Sequence, residues 1–338
     1  MQRHISFRLN PLSVKFHWII RQYIHFLSSL MSAIKRVFLF VLMNLAIILM
    51  GSVTIWIVSA VFGINVSGYL GGSDGYLGLA IFSLIFGFAG SFFSLAISRW
   101  SAKRLYGIRL LDSANLFNYP EKERLVYASV ETIARQQGID MPEVGVYDAP
   151  DPNAFATGAT RNRSLVAVST GLLDAMTPAE IEGVIAHEMA HILNGDMVTM
   201  TLLQGILNTF VIFISRVIGY ALDSAMRKDE ESSAPGFGYY IVVMVLEIAL
   251  SMLASLVLMA FSRHREYRAD AGSAEFVGRD KMIAALRRLK TLTERTDAYD
   301  DGQLAAFKIS ARDGWLSAFS SHPSLDDRIA VLERTWTA

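Results

Sequence analysis

Two histidines four residues apart, the first followed by a glutamate, stand at His187-Glu188-Met189-Ala190-His191. Positions four apart share one face of a helix, so both imidazoles can reach one metal ion. Glu188 projects to the side of such an ion, where its carboxylate can take a proton from a water. Zinc lowers the pKa of that water towards about 7, so a modest base suffices. The protonated Glu188 can then return its proton to a leaving amine. With seven histidines in 338 residues, a chance H-E-x-x-H is expected in on the order of one chain in a hundred of this length. Two surface histidines on a soluble helix are the competing explanation. The chemistry implied is metal-assisted hydrolysis with one Zn2+ per chain.

Catalytic zinc keeps three protein ligands and one open position, so a third ligand is needed. It is not local: Gly195 falls one residue late for H-E-x-x-H-x-x-G-x-x-H, and Met197 stands where the third histidine would be. Glu266, in Ser262-Arg-His-Arg-Glu-Tyr-Arg-Ala-Asp270, is the strongest candidate. Asp270 lies four residues on, on the same helical face, where it can accept the free ring N–H of a ligand histidine. His264 is the rival, but a two-residue offset points it roughly opposite to Glu266. An arginine-paired, solvated helix face is the alternative reading of Glu266 and Asp270.

The motif needs a helix, and the flanking residues define one. Thr177-Pro178-Ala179-Glu180 combines an N-cap, a proline at the first helical position and a capping-box glutamate. Asn194-Gly195 supplies the stop. Upstream, an amphipathic helix is predicted over 121–137. Short β-rich runs follow at 143–147 and 164–169, around an Asp148-Ala-Pro-Asp-Pro152 turn. Between the runs lies Asn153-Ala154-Phe155-Ala156-Thr157-Gly158.

Hydrophobic residues make up 52% of the chain and charged ones only 18%, against about 25% charged in an average soluble domain. The excess apolar content sits in four stretches at the roughly 20-residue threshold for crossing a bilayer, about 37–61, 77–97, 202–222 and 238–261. Basic groups flank them. Arg3, Arg8, Lys15, Arg21, Lys35 and Arg36 precede the first stretch. Arg99, Lys103, Arg104 and Arg109 follow the second, and Arg263, Arg265 and Arg268 follow the fourth. Lysine and arginine mark the cytoplasmic side, so both polar regions are expected to face the cytoplasm together.

Arg216 and Glu247 fall inside the second pair of stretches at similar depth, and an ionisable residue there is usually paired; snorkelling or a wet groove is the alternative. The expected organisation is a basic N-terminal segment (1–36), a transmembrane hairpin (37–98) and a catalytic region (99–200). A second hairpin (201–261) and a C-terminal catalytic region (262–338) complete it. Residues 1–30 are compatible with a basic membrane-surface segment or with a start-site extension upstream of Met31.

Net charge is zero, with 31 basic and 31 acidic side chains, so nothing overall suggests nucleic-acid binding. Without cysteine, disulfides, a thiol nucleophile and Cys-type zinc sites are excluded.

At 153–158, 165–173, 187–201 and 262–274 the chain resembles the HtpX family of bacterial inner-membrane heat-shock metalloproteases. These belong to a larger family that includes the CAAX prenyl-protein endopeptidase. The resemblance runs from about Met31 to the C-terminus. It implies an α+β, zincin-like (gluzincin) catalytic domain integrated with about four transmembrane helices. It also implies zinc ligation by His187, His191 and Glu266, and Glu188 as acid/base. The segment Asn153, Ala154, Phe155 and Ala156 becomes an edge strand beside the cleft, able to capture an extended substrate by backbone pairing. Residue types alone also allow an ordinary turn and hairpin strand there.

His322-Pro323 resembles a family motif near the active site, where the imidazole could stabilise a tetrahedral oxyanion. Without the resemblance, His322 merely precedes a helix that Ser324 caps. The expected activity is endoproteolysis of membrane or membrane-proximal polypeptides at a bacterial inner membrane, in quality control of damaged proteins. A non-enzymatic scaffold or metal-binding regulator is the rival. A protease with its motif inside the lipid is disfavoured, because Glu180 and Glu182 would enter at heavy cost.

Overall fold

The computed structural model describes residues 75–226, 236–299 and 322–334, with four isolated positions between 53 and 60. The expected basic segment and, apart from those four positions, the expected first span lie outside the described residues. Helix α1 covers Gly75–Leu105, and β1 (Arg109–Leu110) leads through a 3-10 turn to α2 (Glu121–Gln137). Strands β2 (Glu143–Tyr147), β3 (Ala154–Thr160) and β4 (Arg163–Ser169) follow. Six helices complete the described chain: α3 (Thr170–Ala175), α4 (Pro178–Asn194), α5 (Asp196–Met226), α6 (Phe237–Val277), α7 (Arg279–Tyr299) and α8 (Leu325–Arg334).

The sheet order is β1-β2-β4-β3, antiparallel except for the parallel pair β2–β4. β3 is therefore an edge strand. On one face of the sheet Val144, Val146, Val166 and Val168 pack with Val126, Val130 and Ile133 of α2 and with Ile181, Ile185 and Met189 of α4. Each such fully buried side chain contributes about 1.5–3 kcal/mol, enough collectively to hold the polar side of α4 in a desolvated position.

The ends of α4 behave as their residues dictate. The Glu180 carboxylate accepts the Thr177 N–H at 2.7 Å, and Gly195 turns the chain at φ 69°, left-handed backbone that favours glycine. Gly183 lets α6 and α7 approach closely. A Cβ there would lie 2.6 Å from the Lys281 carbonyl, and the Ser273 hydroxyl donates to the Gly183 carbonyl at 3.0 Å.

Among the described residues, three helices are long and apolar enough to cross a membrane: α1, α5 and α6. Along α5 the exposed side chains Val198, Leu202, Ile206, Phe210, Ile214 and Ile218 recur every four residues, which makes one lipid-facing stripe. Two residues out of phase lie Gln204, Asn208 and Arg216, on the side that α1 and α6 cover. There the Gln204 amide donates to Asn208 at 2.7 Å. Arg216 pairs with Glu247 at 2.6 Å and lies 5.5 Å from the Phe82 ring centroid. The expected pairing across the second hairpin is thus present.

Helical structure runs well past the apolar limits. α1 crosses the boundary expected at residue 98 because Arg99 and Lys103 on its extension both reach Glu143 at the start of β2. α6 continues unbroken for 41 residues, about 60 Å, carrying its apolar half and the polar segment beyond it on one rigid axis.

Candidate metal centre

His187 and His191 lie on the sheltered side of α4, each 8% exposed. Glu266, on the polar extension of α6, is fully buried against them. Hydrophobic packing of α4 on both the sheet and α6 brings these distant stretches together. The ligating atoms of all three lie within 4.8 Å of one another. His187 Nε2 is 3.2 Å from His191 Nε2 and 3.3 Å from Glu266 Oε2, and His191 Nε2 is 3.5 Å from Glu266 Oε1. Two ligands about 2.0–2.1 Å from a tetrahedral metal ion stand about 3.3 Å apart.

Neither Glu266 oxygen accepts a well-formed hydrogen bond. A buried carboxylate left so is costly unless a cation takes those lone pairs. Three ligands with one position open is the arrangement of a catalytic site. The residues fit a bound metal ion.

Both imidazoles turn their other nitrogen to a carboxylate. His187 Nδ1 is 3.0 Å from Asp270 Oδ1, and His191 Nδ1 is 2.6 Å from Asp196 Oδ2. Those contacts place the proton on Nδ1 and leave the Nε2 lone pairs facing the centre. Each carboxylate is held in turn by an arginine. Arg328 on α8 donates twice to Asp270, at 2.8 and 2.6 Å, and Arg268 donates to Asp196 at 2.5 Å.

Burial alone would lower the His187 pKa; contacts with Asp270 and then Glu266 outweigh it and push it up to about 9. Burial likewise raises Glu266, but His187 and then His322 hold it far below the carboxylate range. Asp270 is also lowered, against burial, by Arg328 and then His187. In the metal-free protein a proton on His187 therefore stands in for the cation.

The linkage has a definite sign. The His187 pKa is raised above its unfolded value of about 6.5, so its stabilisation is fully present below that pH and is lost as pH rises through about 9. Metal-free protein in detergent should accordingly lose on the order of a few kcal/mol of stability between pH 6.5 and 9.5. Thermal unfolding followed by tryptophan fluorescence measures it. Metal-loaded protein, whose histidines are already deprotonated, should not follow that curve, and neither should His187→Gln. A flat profile for the metal-free wild type would contradict the assignment.

The three expected ligands thus meet. Glu266 and Asp270 do not form a solvated face: they are 0% and 2% exposed, while the rival His264 is exposed. Glu188 is the half-exposed member of the motif; its charge, after those of Asp270 and Glu266, raises the Arg328 pKa against burial. His322 approaches the site, but its Nδ1 lies 3.0 Å from Glu266 Oε2, so the expected oxyanion role requires the ring to turn towards substrate.

Asn153 precedes the edge strand rather than joining it: its N–H and C=O both bond Ser169 at 2.9 Å. Ala154 and Ala156 pack towards the core. Phe155 points to the other face, its ring centroid 5.3 Å from that of Tyr106 and 5.8 Å from that of Tyr147.

Sequence reasoning missed Arg328, Asp196 and Arg268. Arg268 belongs to the basic group that follows a span, and that role alone accounts for it in the sequence. Asp196 directly after the Gly195 stop was the one available signal, because a left-handed turn brings the next side chain back over the last helical turn.

Residues 120–336 match the model of peptidase family M48. The chain is 51% identical over 301 residues to a protein named Protease HtpX from Alkalilimnicola ehrlichii, covering 88% of this chain and 97% of that one. It is 48% identical over 300 residues to Protease HtpX from Tolumonas auensis, with 88% and 98% covered. Among solved structures, it resembles the crystal structure of S. mikatae Ste24p with a TM-score of 0.53 at 19% identity, covering 84% of this chain and 65% of that one. That likeness speaks to the fold.

Proposed function

We propose, from the premise that this chain belongs to peptidase family M48, that it is a zinc endopeptidase cutting membrane and membrane-proximal polypeptides. Membership makes it a membrane metallopeptidase, a hydrolase of peptide bonds, and the rival reading as a non-enzymatic scaffold draws no support from its relatives. The observation that carries the finer reading is the convergence of His187, His191 and Glu266 directly above two apolar helices. One Zn2+ is the ion that suits two imidazoles and a carboxylate with an open position, and when bound it polarises the scissile carbonyl and acidifies water.

The chain's own residues do the rest. Asp270 and Asp196 hold the histidine rings in one tautomer. Glu188 takes the proton of the attacking water and delivers it to the departing amine, a transfer commonly worth about 10²–10⁴ in rate. The outer edge of β3, over Ala154–Ala156, offers backbone groups to an extended substrate, with Asn153 fixing where that edge begins. His322 is the donor available to the oxyanion.

Lysine and arginine placement supports a multi-pass protein of a bacterial inner membrane with residues 99–200 and 262–338 in the cytoplasm. The resemblance to HtpX proteases supports a part in quality control of damaged membrane proteins. The test is reconstitution. Protein purified in detergent under chelation should be inert towards casein and towards a membrane protein with an exposed loop. Stoichiometric zinc should restore cleavage of both, with new termini identified by mass spectrometry. Cleavage undiminished by chelation would exclude the reading.

A further inference from the structure

Asp196 is fully buried, yet it is the first residue of a 31-residue apolar helix. A lone acid there would read as an ordinary first-turn residue favoured by the helix dipole. Its two oxygens are instead divided between partners. Oδ2 meets His191 Nδ1 at 2.6 Å, and Oδ1 accepts from Arg268 at 2.5 Å. Burying a carboxylate is costly unless it is paired, and here each oxygen has one charged or polar partner. The Arg268 side chain is 51% exposed, so it supplies its charge with little dehydration.

The pattern repeats what Arg328 and Asp270 do for His187, where a bidentate arginine holds the carboxylate that holds the ring. A stretch of five residues on α6 therefore contributes three parts: Glu266 to the centre, Asp270 to His187, and Arg268 to the acid behind His191.

We propose that Asp196 is a positioning residue for His191, clamped by Arg268, and that it makes the root of membrane helix α5 part of the metal site. The proposal rests on reading His191 as a metal ligand. Its Nε2 faces His187 Nε2 at 3.2 Å while its Nδ1 is tied to Asp196. Release of that tie would let the ring turn and the other tautomer form. Carboxylates in this position commonly change metal affinity 10- to 100-fold.

The test uses full-length protein in detergent, with cobalt(II) as probe. Affinity is read by chelator competition and ligand geometry by the visible d–d absorption. Asp196→Ala is expected to weaken cobalt binding 10- to 100-fold and to alter the spectrum. Asp196→Asn, which keeps an oxygen for the His191 N–H but loses the charge shared with Arg268, should recover most of the affinity. Arg268→Ala should cost several-fold in affinity with KM for a peptide substrate unchanged. Wild-type affinity and spectrum in Asp196→Ala would overturn the proposal; should that variant not fold, wild-type affinity in Arg268→Ala, which removes only a half-exposed side chain, would do so alone. His191→Ala separates the two ideas. If it retains cobalt, the ligand assignment itself fails; if it loses cobalt while the Asp196 variants do not, only the positioning role fails.

Discussion

Replacing Glu188 with glutamine is expected to leave a folded, metal-containing protein that has lost peptide-bond hydrolysis. Glutamine matches glutamate in size, and Glu188 is half-exposed beside the buried His187 and Met189, so the change opens no cavity and strands no buried charge. What disappears is a base able to accept a proton and return it. General acid–base catalysis of this kind is commonly worth about 10²–10⁴ in rate, and here the same carboxylate serves both transfers, so the loss should sit at or above the upper end. Casein cleavage, zinc content and melting temperature measured on the same preparations check it. Wild-type turnover in Glu188→Gln would remove the mechanism, whatever the metal content.

Replacing Glu266 should act by another route. Structural zinc sites bind with about 10–16 kcal/mol, so a quarter share is about 3–4 kcal/mol, or about 10²–10³ in affinity, for one ligand of four. Glu266→Ala also removes the negative charge that faces His187, Arg328 and His322. The buried Arg328 guanidinium would lose one of the two carboxylates it faces, and removing one partner from a buried ionic cluster typically costs about 3–5 kcal/mol. The expected result is loss of zinc at micromolar chelator together with a lower melting temperature, a combination Glu188→Gln should not show. A variant that kept both its zinc and its stability would show that Glu266 is not a ligand.

How much of this was legible in the sequence depends on whether a residue's role was local. The H-E-x-x-H helix carried its own period, cap and stop, and its limits follow from Thr177, Pro178 and Gly195. Helix 121–137 and strand 143–147 were likewise set by neighbours. Glu266 and Asp270 were found because a helix leaving a span has a known direction and spacing.

The arginines behind them were not, for a physical reason. Arg328 sits in a short amphipathic helix and looks like any solvated basic residue until α8 folds over the site and buries it to 6% exposure. The pairing of Arg216 with Glu247 could be read because a hairpin in lipid leaves two opposite charges few other partners. The parallel pairing of β2 with β4, across the β3 excursion, had no local signal at all.

The unbroken course of α6, from its apolar start through Glu266 to Val277, bears on how this protein can be handled. No cut separates a water-soluble fragment from the part that needs amphiphile, because trimming α5 and α6 at the lipid boundary severs the only covalent frame joining the motif helix to its third ligand. Biochemistry on an excised soluble piece would be biochemistry on half a site. Nanodiscs or mild detergent are part of the reagent, and a bilayer is as much a component of this catalyst as its ion.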